Sequence, residues 1–295
     1  MLTYLTTGES HGPQLTAVVD GFPSGFTVDM AGLNYQLARR QKGFGRGGRM
    51  AIEKDEVKIV SGVRGGVTLG GPITFVIENN DWVNWSSVMD PLKPPPDDPG
   101  PRERTLLENT SKPRPGHADL PGGIKWHHHD FRNVLERASA RETAARVALG
   151  ALARQLLERF GVRLASHVRQ IGPISLKDEP DKEDLDNLIE LSEASEVRCI
   201  DPATSERMID AIKDARKNRD SLGGRVEVIV RGLPVGLGSC SQWYHRLDGR
   251  LAGALMSIQS VKSVHIGPDI TISDRPGSQV HDEIFYDADG DPLYV

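Results

Sequence analysis

Two histidines stand beside glycine in stretches that could do chemistry: His11 in "TTGESHGPQLTAVV" and His117 in "KPRPGHADLPGG". An imidazole can donate a proton near neutral pH, and adjacent glycines let backbone approach a partner closely. Arginines accompany both histidines. Arg114 lies just before His117, and the stretch from Leu33 to Ile52 holds Arg39, Arg40, Lys42, Arg46 and Arg49 with no acidic residue. Guanidinium forks match phosphate and carboxylate, so the combination points to acid catalysis on a phosphorylated substrate. Each histidine taken alone also fits a hydrogen-bonded structural residue.

Two further clusters bear on anion binding. "GFGRGG" follows a helical pattern instead of a strand and lacks a Gly-Lys-Ser/Thr tail, so the Rossmann and P-loop readings fail their context. With Arg40, Arg46 and Arg49 it reads as a loop that cradles an anion; a solvated basic loop is the alternative. Arg137 and Arg141 stand four apart among Ala138, Ser139, Ala140, Ala144 and Ala145. On a helix they share a face, and the small side chains leave room for an anion or a planar group. The alternative pairs them with Glu136 and Glu142 on an exposed helix. His127, His128 and His129 are successive and have no carboxylate at ligand spacing, so no metal site is expected.

The elements that must position these residues read as α+β. Gln14–Asp20 has the pattern of a strand, and Asp29 to Gln41 that of a helix with Asp29 as N-cap and Gly43 past its end. "DEVKIVSGV" and "GGPITFVIEN" suggest paired antiparallel strands. Residues 82–116 are rich in proline and read as a long surface excursion without regular structure. From Asp130 to Gly161 the apolar spacing predicts one central helix, on the order of 45 Å long at 1.5 Å per residue. "VRLASHVRQIG" and "GRVEVIVRG" read as strands, with helices at about 185–195, 205–218 and 247–259.

Composition narrows the class. The 295 residues are 38% hydrophobic and 26% charged, ordinary for a globular chain that buries a core. A net charge of −5, with five Tyr, seven Phe and four Trp, argues against a nucleic-acid binder. Cys199 and Cys240 have no ligand-like spacing, which fits a reducing cytoplasm. No apolar run is long enough to span a membrane, and no membrane partner is expected.

"GESHGPQLTAVVDGFP", "RRQKGFGRGGRMAIEKD", "RPGHAD", "RNVLERASARETAARVALG" and "PVGLGS" occur in that order. In that order and at that length they resemble the chorismate synthase family over nearly the whole chain. The resemblance implies one domain over 1–295, a layered β-α-β sandwich with a helical core between antiparallel sheets, assembled as a homotetramer. It implies 1,4-anti-elimination of phosphate from 5-enolpyruvylshikimate 3-phosphate, dependent on reduced FMN. It assigns His11 to protonating the departing phosphate and His117 to the flavin as its proton partner. It gives Arg40, Arg46, Arg49, Arg114 and Arg141 to the substrate's phosphate and carboxylates. Arg137, Ala138, Ser139, Gln259 and Ser260 match FMN contacts, and Arg40 and Arg46 match NADPH positions in members that reduce their own flavin. Motifs that the family carries beyond the position of Val295, an Arg-Ser-Asp motif among them, do not occur in the 295 residues. The alternative to the enzyme is therefore a catalytically incomplete anion- or flavin-binding module.

Overall fold

A computed structural model describes residues 2–45, 54–108, 110–267, 270–281, 283–286 and 292–294. Arg46 and Arg49 lie outside the described residues. The chain divides into two compact units, Met1–Leu233 and Pro234–Val295.

In the first unit, β1 (Thr3–Thr7) and β2 (Gln14–Asp20) form a hairpin that carries His11 in its connection. Helix α1 (Met30–Gln41) follows, with Asp29 at its N-cap position but without a side-chain cap bond. Then come β3 (Val57–Ser61), a small hairpin of β4 (Val63–Arg64) and β5 (Val67–Thr68), and β6 (Ile73–Glu78). The antiparallel order β1-β2-β6-β3 confirms the pairing expected of the two central segments. Alternation sets the inner face: Leu15, Ala17 and Val19 of β2 stand opposite Ile77, Phe75 and Ile73 of β6, and all six are buried. Strand β1 escaped the sequence reading because it is short and largely exposed.

The proline-rich stretch holds more regular structure than expected. Helices α2 (Ser86–Met89) and α3 (Pro101–Glu108) form within it. Pro101 occupies the first position of α3, where its missing N–H has no intrahelical partner to lose.

The expected central helix is two helices. After α4 (Asp119–Trp126), helix α5 (Arg132–Ala138) stops at Ser139, whose backbone is extended at φ −63° and ψ 145°. A short 3-10 turn, Ala140–Glu142, leads into α6 (Thr143–Glu158). Ser139 caps that turn by accepting from the Arg141 N–H at 3.3 Å. Arg137 and Arg141 therefore do not share a helix face. The alanines also serve another end than the one expected: Ala144, Ala145, Ala148 and Ala151 are buried with Leu152 in the core against β2 and β6. Small residues let α6 lie close to the sheet.

A second antiparallel sheet, β8-β7-β9, is built from β7 (Arg163–Ile171), β8 (Ile174–Ser175) and β9 (Gly224–Arg231). Between β8 and β9 run α7 (Leu185–Ala194) and α8 (Pro202–Lys217); α8 starts earlier than the sequence suggested because Asp201 caps it through the Thr204 N–H at 2.7 Å. Leu185 and Leu188 of α7 pack on Ala165 and Ile229 of the sheet, while α1 and α6 cover the first sheet and α6 also touches β7. Each sheet thus has a helical face, and the fold is mixed α+β with antiparallel sheets. In the second unit, α9 (Leu247–Met256) ends before Gln259, and β10 (Ile284–Tyr286) pairs with β11 (Pro292–Tyr294).

Candidate active site

The hairpin connection that carries His11 is docked on the C-terminal part of α5. Ser10 donates its N–H to the Glu136 carbonyl at 3.0 Å, and His11 donates its own N–H to Glu136 Oε2 at 2.8 Å. Asn79 closes the other side by donating to the Gly12 carbonyl at 2.8 Å. Gly8, at φ 101°, is required by the hairpin itself, since a Cβ there would lie 2.5 Å from the Gln14 carbonyl oxygen. The close approach read from the glycines is, at Gly8, an approach of backbone to backbone.

The His11 ring is held on two sides. Its Nδ1 lies 2.9 and 2.7 Å from the two carboxylate oxygens of Glu136, a side chain with no exposed surface. Trp85 meets the ring at 3.7 Å between centroids, tilted by 32°. Arg132 donates to Glu136 Oε1 at 2.7 Å and to the Leu106 carbonyl at 2.6 Å, with its guanidinium 5.2 Å from the Trp85 ring. Burial pushes the Glu136 carboxyl up, but the His11 hydrogen bonds and charge and the Arg132 charge outweigh it and hold the group below its ordinary value. Glu136 is ionised at neutral pH.

His117 repeats the arrangement locally. Its Nδ1 bonds to Asp119, which has no exposed side-chain surface and also accepts the Arg114 N–H at 3.0 Å and Arg114 Nε at 3.2 Å. Burial raises the Asp119 carboxyl; the Arg114 and His117 bonds overcome it, and the net direction is down. Arg114 Nη2 lies 3.5 Å from His117 Nε2. Helix α4, which begins at Asp119, packs on α5 closely enough that a Cβ on Gly122 would stand 2.5 Å from a Val134 methyl. The two carboxylates, Asp119 and Glu136, therefore sit on neighbouring helices.

The arginines fall into distinct settings. Arg40 and Arg141 are brought together on buried Asp55, at 3.4 and 2.5 Å, and Arg40 also donates to Thr143 Oγ1 and the Ala140 carbonyl at 3.0 and 3.1 Å. Arg137 donates to the Thr6 carbonyl and hydroxyl at 2.7 and 3.0 Å and reaches Glu142 at 4.0 Å, so it pairs across to β1 instead of with Glu136. Glu142 is occupied by Thr6 and Arg146. Ser139 donates to the Ser10 hydroxyl at 3.2 Å. Ala138 is half-buried. In the second unit, Gln259 is half-buried and Ser260 is exposed with a left-handed φ of 69°, both on the turn after α9.

Sequence reasoning missed Glu136, Asp119, Asp55, Trp85 and Arg132. Asp119 carried a signal, being two residues from His117 in "RPGHAD". Ser139 carried one as well, since "SARE" has the S-x-x-E spacing of a helix start. Glu136 carried only its i,i+4 spacing to Arg132, and nothing pointed to its link with His11 or to Asp55's links with Arg40 and Arg141, because those partners are distant in sequence.

The chorismate synthase family model matches residues 2–291. The chorismate synthase of Symbiobacterium thermophilum is 52% identical over 288 residues, covering 98% of this chain and 73% of that protein. That of Brevibacillus brevis is 54% identical over 288 residues, covering 98% and 72%. A crystal structure of chorismate synthase superposes with a TM-score of 0.81 at 39% identity, covering 99% of this chain and 77% of that one. No helix among the described residues is long and apolar enough to cross a membrane. The chain belongs to the chorismate synthase family, phosphate-eliminating lyases of the shikimate pathway that use reduced FMN.

Proposed function

We propose that His11 protonates the phosphate leaving 5-enolpyruvylshikimate 3-phosphate and that His117 serves the flavin as its proton partner. The observation that carries this reading is that each ring has Nδ1 on a carboxylate without exposed surface. A carboxylate in that position stabilises the charged imidazolium and orients it, as proton donation to a departing oxygen requires. Arg40 and Arg141, with Arg46, Arg49 and Arg114, neutralise the substrate's phosphate and carboxylates. Their positive charge favours the phosphate anion as the C–O bond breaks.

Reduced FMN suits the residues around the α5 break. Arg137 Nη1 is buried without a hydrogen-bond partner among the described residues, a donor suited to an acceptor-rich ligand. Arg137, Ala138 and Ser139 would hold the cofactor in the first unit; Gln259 and Ser260 of the second unit match FMN contacts of the family by sequence. The bound flavin supplies the electronic part of the cleavage and is not consumed. Arg40 and Arg46 would take NADPH if the chain reduces its own flavin, and the assembly is a cytoplasmic homotetramer. Phosphate release from the substrate, assayed with reduced and with oxidised FMN, tests the reading. Release should require the reduced form, and equal release with oxidised FMN would overturn it.

A further inference from the structure

We propose that Glu136 is a positioning residue for His11: its carboxylate selects the imidazole form with hydrogen on Nδ1 and leaves Nε2 as the nitrogen that delivers the proton. The proposal rests on the reading of His11 as proton donor and adds which nitrogen acts and what enforces it. Both oxygens of Glu136 lie within hydrogen-bond distance of Nδ1, and an ionised carboxylate only accepts. Nδ1 must therefore carry hydrogen, whereas a free neutral imidazole mostly carries it on Nε2. The carboxylate itself cannot turn away. Oε2 also accepts the His11 backbone N–H, and Oε1 accepts Arg132, whose other nitrogen is tied to the Leu106 carbonyl.

The ring plane is fixed separately. Trp85 lies against the imidazole, and its indole N–H is bonded to Asp81 at 2.8 Å, so the indole is itself restrained. Three segments meet at the imidazole, the β1–β2 connection, the turn at 82–85 and α5, while the end of α3 holds Arg132 behind Glu136. A carboxylate needed only for packing would not require both its oxygens aimed at a ring nitrogen. The arrangement has the form of a supporting shell around a reactive group.

The test uses the full chain labelled with ¹⁵N-histidine, with His11→Gln to assign the His11 signals, at a pH where the ring is neutral. Wild type should show hydrogen on Nδ1, and Glu136→Gln should shift the ring toward the Nε2–H form. In the assay with reduced FMN, Glu136→Gln should lower kcat about tenfold or more while KM changes less than about threefold. Glu136→Asp, which keeps the charge, should recover part of both. A wild-type His11 with hydrogen on Nε2 would overturn the proposal even if no variant folds, and so would an unchanged ring form in Glu136→Gln. A changed ring form with wild-type kcat would leave the positioning intact and refute His11 as the proton donor.

Discussion

The His11–Glu136 and His117–Asp119 pairs use the same device built in two ways. In the second, the partners stand two positions apart, and the shared cation, Arg114, is 54% exposed. In the first they stand 125 positions apart, and the shared cation, Arg132, is 9% exposed. The local pair exists as soon as α4 begins. The distant pair exists only once the hairpin, the 82–108 segment and α5 have assembled, so its integrity reports the assembly of the whole site. His167 and Glu227 on adjacent strands form a third such pair, with the ring fully buried. There the carboxylate also holds Lys182, and the arrangement joins β7 and β9 within a sheet.

Truncating the carboxylates should separate the two site pairs most strongly. Glu136→Ala leaves Arg132 as an uncompensated buried charge and should cost about 3–5 kcal/mol in stability. Asp119→Ala leaves a backbone N–H and an accessible arginine, and should cost about 1–3 kcal/mol. Denaturant unfolding measures both, and equal losses would erase the distinction drawn between them.

Removing the rings instead should make the pairs look alike in turnover. His11→Ala and His117→Ala are each expected to lose about 10²-fold or more. Circular dichroism should show the fold intact. Wild-type turnover in either variant would return that histidine to a structural role.

Acid titration sharpens the comparison further. All three carboxyls are held below their ordinary values when folded, Glu227 down to about 2 through its His167 hydrogen bond, against burial and with help from Lys182. A carboxyl depressed in the folded state contributes stability that is present above its unfolded value and lost as pH falls through the folded one. The advantage of wild type over Glu136→Gln in Tm should therefore be full above about pH 4.5 and shrink below it. For Glu227→Gln the advantage should fade over the span from 4.5 towards about 2. A wild-type advantage that grows on acidification would contradict the sign.

The smallest effect belongs to the helix break at the end of α5. Ser139→Ala removes the cap and the contact to Ser10, and should cost about 1 kcal/mol. No measurable change in Tm would show that the break is imposed by packing alone.

What could be read from the sequence follows the same division. The strands β2 and β6, the antiparallel pairing and α1 followed from period-2 and period-3.6 patterns, because burial on one face writes itself into neighbouring residues. His117 with Asp119 was available in six consecutive letters. His11 was found, but its partner was not: Glu136 read as a neighbour for Arg137, because adjacency is visible in sequence and the docking of a hairpin is not. The continuous central helix failed for a related reason. Apolar spacing runs through Ser139 nearly undisturbed, while the capping signal that interrupts it occupies four residues. Asp55 illustrates the limit, since nothing near it in sequence foretells that it will sit between Arg40 and Arg141.

The most direct test is a single turnover of the FMN-loaded chain with 5-enolpyruvylshikimate 3-phosphate, following phosphate release and flavin absorbance together in wild type and in His11→Ala. Acid catalysis by His11 beside a flavin that is not consumed should give about one phosphate per active site with the flavin reduced at the end, and a release step slowed about 10²-fold in His11→Ala. One oxidised flavin accumulating for each phosphate released, or an unslowed release in His11→Ala, would contradict it.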